Sequence, residues 1–239
     1  MNLPPIMGHR GAAGHAPENT LAGFNAAARL GVSWVEFDVH LSSDRIPVLL
    51  HDDTLDRTTD GEGPVDDLKA EVLTSLDAGT WFSEKFSSEK LPTLEQALKL
   101  LAALGLGANV EIKPSPGREA ETGSVVARML REQWPRALPQ PIVCSFNTKS
   151  IAAARQAAPS IPRAFLVRKV SGNWGQVLRD LECFALHCNY KGLTVSDVEQ
   201  VRRAGYALNI FTVNDRVRAE TLLSWGAGTI ISDYPDRLM

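Results

Sequence analysis

Two carboxylates stand two residues apart in the run Trp34-Val35-Glu36-Phe37-Asp38-Val39-His40. Side chains alternate across an extended strand, so Glu36 and Asp38 share one face while Val35, Phe37 and Val39 take the other. Alone, such a pair is as ordinary as a half-exposed strand. Inside a barrel, where both faces of a strand are covered, two unpaired anions would be very costly, and a cation resolves the conflict. Glu111-Ile112-Lys113 repeats the pattern and supplies a third carboxylate. Three oxygen donors, Glu36, Asp38 and Glu111, suit a hard divalent cation such as Mg²⁺ or Ca²⁺, with Mn²⁺ also accommodated, better than zinc, which prefers histidine or cysteine.

Two histidines follow short apolar runs: His9 in His9-Arg10-Gly11 and His51 in Leu49-Leu50-His51-Asp52-Asp53. Read this way, both lie at C-terminal strand ends, the face on which barrel active sites assemble. Imidazoles that titrate near neutrality can serve as general acid and base for phosphoryl transfer. The sequence leaves open which would be which. His15, His40 and His187 are read as structural or rim residues. Arg10 offers a planar cation for two phosphate oxygens, and Lys113, among anions, a counter-charge for a developing oxyanion. In Pro17-Glu18-Asn19-Thr20, Asn19 or Thr20 caps the following helix, and Glu18 either favours its positive end or reaches in to orient Arg10 or His9.

These residues require a scaffold that gathers several strand ends. Short apolar runs alternate with segments of helical period, which predicts parallel strands joined by crossover helices. Strands are expected at Ile6 to Gly8, Trp34 to Val39, Val48 to Leu50, Ala108 to Ile112, Ile142 to Ser145, Ala164 to Val167, Phe184 to His187, Leu208 to Val213 and Thr229 to Ile231, one more than a closed barrel needs. No G-x-G-x-x-G turn is present, and the fold predicted is an α/β (β/α)8 barrel (TIM barrel), with residues 1–239 as one domain. Asp52 to Leu91 breaks the rhythm and reads as an insertion over the barrel mouth, at about 52–91.

The chain has 239 residues, 44% of them apolar, and a formal net charge of −3. It has no basic stripe for nucleic acid and no polybasic tract for a membrane surface, so neither partner is expected. No run of about 18 apolar residues could span a bilayer. Cys144, Cys183 and Cys188 have no paired spacing and read as reduced thiols, which points to the cytoplasm, as does the lack of a basic region before His9. A monomer or homodimer is expected.

The chain resembles the glycerophosphodiester phosphodiesterase family. The resemblance runs through His9-Arg10-Gly11, Pro17-Glu18-Asn19-Thr20, Glu36-Phe37-Asp38, His51-Asp52-Asp53, Leu55-x-Arg57-Thr58-Thr59-x-Gly61, Pro92-Thr93-Leu94, Glu111-Ile112-Lys113 and Thr212-Val213-Asn214, in the family's order. It is closest to short cytoplasmic bacterial members that act on deacylated phospholipids. The resemblance implies a divalent metal on Glu36, Asp38 and Glu111, His9 and His51 as the acid/base pair, and Arg10 and Lys113 on phosphate. It also implies an aromatic contact to glycerol from Phe211, where many relatives have tryptophan, with Phe146 as a further wall or as barrel core. The implied reaction is hydrolysis of a small soluble glycerophosphodiester, such as glycerophosphocholine or glycerophosphoethanolamine, to sn-glycerol 3-phosphate and an alcohol. A lyase stopping at a cyclic phosphate is the nearest rival. A silent binding barrel should have lost one of the five key residues, and a metal-dependent amide or ester hydrolase should show more histidine ligands.

Overall fold

The computed structural model describes residues 3–239. Eight parallel strands form the barrel: β1 (Ile6–Gly8), β2 (Trp34–Leu41), β4 (Gly107–Ile112), β5 (Ile142–Ser145), β6 (Arg163–Val167), β7 (Ala185–Asn189), β8 (Ala207–Phe211) and β9 (Thr229–Ser232). They pair in the order β1-β9-β8-β7-β6-β5-β4-β2, and a β1–β2 pairing closes the ring. Seven longer helices follow: α1 (Leu21–Arg29), α3 (Leu94–Leu104), α4 (Glu119–Gln133), α5 (Thr148–Ala157), α6 (Trp174–Asp180), α7 (Val195–Arg203) and α8 (Arg216–Ser224). The predicted (β/α)8 barrel is the fold observed.

The third predicted strand, Val48 to Leu50, has a different place. β3 (Pro47–Leu49) runs antiparallel to β2, with Val39 opposite Leu49 and Leu41 opposite Pro47. The chain climbs past the barrel mouth along β2, turns, and descends again. His51 is therefore not at the C-terminal end of a barrel strand, as its apolar run suggested. It is delivered back to the mouth by the descending arm of a hairpin. Residues 52–91 then form an irregular segment containing one short α-helix, α2 (Ala70–Leu73), and two single 3-10 turns (Val65–Asp67 and Glu84–Phe86), over a small apolar cluster of Val48, Leu50, Leu55, Val65, Leu73, Ala78 and Leu91.

Local chemistry explains the element ends. The Thr20 hydroxyl accepts from the Gly23 amide and starts α1, while reciprocal Thr93–Gln96 and Thr194–Asp197 capping boxes start α3 and α7. At Gly107 a Cβ would meet the Trp34 indole at 2.4 Å, so only glycine lets that ring lie across the barrel floor. Odd and even strand positions divide as the alternation demands. Val35, Phe37, Val39, Ala108, Val110 and Ile112 pack outward against helices, with Phe24 of α1 on Phe37 at 5.2 Å between ring centroids. The inward positions change character with height: Met7, Trp34, Ile142, Ala164 and Ala185 form an apolar lower layer. Above it come Glu36, Asn109, Glu111, His187 and Asn209, all buried. No helix among the described residues is long and apolar enough to cross a membrane.

His187 faces Asn209 across the β7–β8 register, 3.0 Å from its amide nitrogen, and burial pushes the imidazole pKa down to about 3. A folded-state pKa below the unfolded value of about 6.5 means that the unfolded chain takes up a proton the folded one refuses. Stability is thus fully present above about pH 6.5 and is lost as pH falls toward 3, at up to about 1.4 kcal/mol per unit. Urea unfolding of the parent and His187→Gln proteins between pH 7 and about pH 4 should show a shallower acid loss in the variant. Parallel curves would show that His187 takes up its proton without unfolding.

Candidate active site

The loop after β1 is bound to the top of β2 by its backbone. Arg10 (φ 49°) and Gly11 (φ 90°) take left-handed conformations. The Arg10 amide donates to Glu36 Oε2 at 3.1 Å and the Gly11 amide to the Glu36 carbonyl at 3.2 Å. Glycine at position 8 permits this return, because a Cβ there would lie 2.0 Å from the Gly11 carbonyl oxygen. His9 and Arg10 are thereby fixed over the carboxylates.

Glu36 and Asp38 face inward from β2, and Glu111 stands opposite Asp38 on β4. One carboxylate oxygen from each lies within 4.8 Å of the other two, and all three residues are buried. Burial, with Asp38 and Glu111 beside it, raises the Glu36 pKa well above the usual carboxylate range, and burial together with Asp38 brings Glu111 up to about 7. Burial also works against the Asp38 anion, but Arg10, His51 and Lys113 outweigh it, and its pKa is lowered. Arg10 Nε sits 3.2 Å from Asp38 Oδ2, close enough for charge attraction but not aligned as a hydrogen bond. Lys113 Nζ sits 3.4 Å from Glu111 Oε1. An all-oxygen set of buried, mutually repelling carboxylates fits a hard divalent cation.

The histidines arrive from the two elements that flank β2, His9 after β1 and His51 after β3. His9 Nε2 is 3.8 Å from Glu36 Oε2, and its Nδ1 bonds Asp233 Oδ1 at 2.6 Å. Asn214 donates to the other Asp233 oxygen at 2.7 Å. His51 Nδ1 bonds Asp52 Oδ1 at 2.5 Å. The pKa of Asp233 is lowered despite burial, by His9 and Asn214, and that of Asp52 is lowered chiefly by Arg57. Ionised carboxylates only accept, so each imidazole carries its proton on Nδ1 toward the aspartate and keeps Nε2 for the site. Burial lowers the His51 pKa, and Arg10 and Lys113 lower it further against the pull of Asp38 and Asp52.

Glu18 reaches in rather than lying idle at a helix end. Its carboxylate takes Arg10 at 2.6 Å and both terminal nitrogens of Arg57, at 2.7 and 2.9 Å. Arg57 also holds Asp52 at 2.6 Å, so one ionic chain runs from His51 through Asp52, Arg57 and Glu18 to Arg10. Thr20 is the cap of α1. Asn19 instead clamps Asp38, donating to Oδ2 at 2.9 Å and accepting from the Asp38 amide at 3.0 Å. Phe146 and Phe211 meet edge to face at 6.0 Å between centroids, and Phe146 is 40% exposed. It lines a cavity of about 260 Å³ with Glu111, Lys113, Ser145, Asn147 and Asp53, so it is a wall and not barrel core.

The sequence assigns no role to Asp233, Asn214, Asp52 or Arg57, and it reads Asn19 only as a candidate helix cap. Asp233 left one signal: it follows β9 as His9 follows β1, on the neighbouring strand. His15 pairs with Asp236 at 2.7 Å, and His40 is buried against the His51 carbonyl at 3.3 Å, in keeping with their structural reading.

The profile of the Glycerophosphoryl diester phosphodiesterase family matches residues 9–237. A glycerophosphodiester phosphodiesterase of Caldanaerobacter subterraneus subsp. tengcongensis is 34% identical over 239 residues, covering 98% of this chain and 96% of that protein. YhdW of Bacillus subtilis is 37% identical over 240 residues, covering 97% and 95%. An Oleispira antarctica phosphodiesterase, solved in complex with the product sn-glycerol-3-phosphate, superposes with a TM-score of 0.95 at 39% identity, covering 99% of this chain and 95% of that one. With sequence profile, relatives and three-dimensional likeness in agreement along nearly the whole length, the chain belongs to the glycerophosphoryl diester phosphodiesterase family.

Proposed function

We propose that the protein hydrolyses glycerophosphodiesters to sn-glycerol 3-phosphate and an alcohol, using a divalent metal and a histidine pair. The observation that carries this reading is the convergence of three buried carboxylates, two carboxylate-oriented imidazoles and two cations at one barrel end. Glu36, Asp38 and Glu111 would hold the metal, which when bound polarises a phosphoryl oxygen and offsets charge on it. Arg10 and Lys113 neutralise the remaining phosphate charge as it grows in the transition state. One imidazole takes a proton at Nε2 from the attacking oxygen and the other gives one to the departing alcohol. Asp233 and Asp52 keep both rings turned with a proton on Nδ1, so that the base presents a bare Nε2 and the acid carries a second proton there. Phe211 and Phe146 supply an apolar wall for the carbon skeleton of glycerol. The complex of the Oleispira antarctica relative with sn-glycerol-3-phosphate supports the product assigned.

Purified protein treated with chelator should release no glycerol 3-phosphate from glycerophosphocholine and should regain release on addition of Mg²⁺, Ca²⁺ or Mn²⁺. Activity indifferent to chelation would remove the metal from the mechanism.

His9→Ala and His51→Ala should each lower kcat by about 10²-fold or more with little change in melting temperature. Asp233→Asn, which no longer fixes the proton on Nδ1, should lower kcat by about tenfold or more while leaving KM close to the parent's. A change confined to KM would show that Asp233 serves binding and not ring orientation.

The raised Glu36 and Glu111 pKa values set a pH dependence for metal binding. A carboxyl titrating at about 7 is half protonated there in the metal-free protein, and a cation must displace that proton. Affinity should therefore fall as pH drops through 7, with protons released on binding. Calorimetry near pH 6.5 in two buffers of different ionisation heat reads this directly. Identical heats in both buffers would count against these two residues as ligands.

A further inference from the structure

We infer that the protein prefers glycerophosphodiesters whose alcohol carries a second anionic group, held by a basic rim on the loops after β6 and β7. This rests on the phosphodiesterase reading above and adds the class of leaving alcohol. Residues 168–173 and 189–194 contain Arg168, Lys169 and Lys191 and no Asp or Glu. All three are exposed, and none has a carboxylate within 4.0 Å among the described residues. The Arg168 guanidinium lies 5.7 Å from the ring centroid of Phe146, the residue that walls the catalytic cavity, so its charge stands at the edge of that cavity. Lys169 and Lys191 line a second cavity of about 230 Å³ together with Ser171, Asn189 and Asp197. The Asp197 carboxylate is already engaged by the amide and hydroxyl of Thr194.

The opposite rim contrasts with this one. Residues 52–91 hold eleven acidic side chains against four basic ones. Several of those acids are consumed by turns: Asp56 accepts from the Gly63 amide, Asp60 from the Asp77 amide, and Asp77 from the Gly79 and Thr80 amides. These three acids thus shape their own segment, whereas among the described residues Arg168, Lys169 and Lys191 have no carboxylate partner. The catalytic cavity is lined by Asp53 of the insertion and, on its other side, by Glu111, Lys113, Ser145, Asn147 and Phe146, the ring beside which Arg168 stands. An alcohol leaving past Phe146 would meet Arg168, whose neighbour Lys169 shares the second cavity with Lys191.

The test compares kcat/KM for glycerophosphoglycerol with that for 1,3-bis(glycerophospho)glycerol, which extends the same alcohol by a second phosphodiester. The doubly charged substrate should be favoured by roughly tenfold at low salt, well beyond the twofold owed to its two equivalent ends, and the advantage should shrink as salt rises. In the triple variant Arg168→Gln, Lys169→Gln, Lys191→Gln the ratio should fall toward two. These side chains are exposed, and a ratio of two substrates on one preparation is insensitive to the folded fraction. A parent ratio near two, a ratio that survives the triple substitution, or a preference for glycerophosphocholine over both would overturn the inference. No glycerol 3-phosphate from any diester with any divalent cation would instead bring down the phosphodiesterase reading and the rim's role with it.

Discussion

Mutual repulsion among Glu36, Asp38 and Glu111 is the constraint around which the upper half of the barrel is arranged. Oxygens within 4.8 Å of one another interact at roughly 3 kcal/mol per pair at an effective dielectric of about 20, and burial removes the water that would soften this. The chain responds in two ways. It brings Arg10 and Lys113 against Asp38 and Glu111, and it lets Glu36 and Glu111 drift toward the neutral form while Asp38 stays ionised. A site left in this condition stores an affinity for positive charge. The left-handed backbone of Arg10, itself at φ 49°, exists because that cation has to arrive from the end of β1 and still present its amide to Glu36.

The insertion belongs to the same electrostatic arrangement. Arg57 is held on one side by Asp52 and on the other by Glu18, and Glu18 in turn holds Arg10. His51 and Arg10 thus share one framework of alternating charge although 41 sequence positions separate them. Asp233 is fixed more simply, by the neutral amide of Asn214. The two imidazoles are therefore oriented by similar contacts but sit in different fields. The aspartate behind His51 has its charge largely answered by Arg57, whereas the one behind His9 has no Lys or Arg in direct contact among the described residues. Two chemically identical side chains with different roles need such an inequality.

What the sequence made legible follows from the range of the interactions involved. Glu36, Asp38 and Glu111 could be read because strand alternation is local, and Glu111-x-Lys113 could be read for the same reason. The antiparallel course of β3 could not, since Val48 to Leu50 has the apolar character of a barrel strand and nothing in three residues states a direction. Hence the sequence mounts His51 at the end of a barrel strand, whereas the fold carries it on the returning arm of a hairpin. Asp233 lies 224 positions from His9, and only closure of β9 onto β1 brings them together. Asn19 was hidden by a competing local explanation: beside Thr20 it reads as a helix cap, and only the fold reveals that its amide spans to Asp38. Glu18 was open between two readings, and the tie is broken by Arg57, a residue 39 positions away.

The barrel interior also shows where stability must come from. Above the apolar floor of Met7, Trp34, Ile142, Ala164 and Ala185 the lumen turns polar, with Asn109, His187 and Asn209 carrying buried side-chain atoms that lack a protein partner. Such atoms weaken the fold. They sit immediately below the carboxylates, Asn109 on the same inward face of β4 as Glu111 and in register with Glu36. A hydrocarbon layer there would remove polar neighbours from anions that are already starved of solvation. The polar middle layer is thus a concession to the site above it, and the folding energy is concentrated in the floor and in the outer shell between strands and helices. Substitutions that enlarge or shrink Trp34 or Phe37 act on the fold, whereas those at Asn109 or Asn209 act on the environment of charge. The barrel separates the two demands by height, and for that reason a strand such as β2 can place a tryptophan and two catalytic-end carboxylates on one face within five residues.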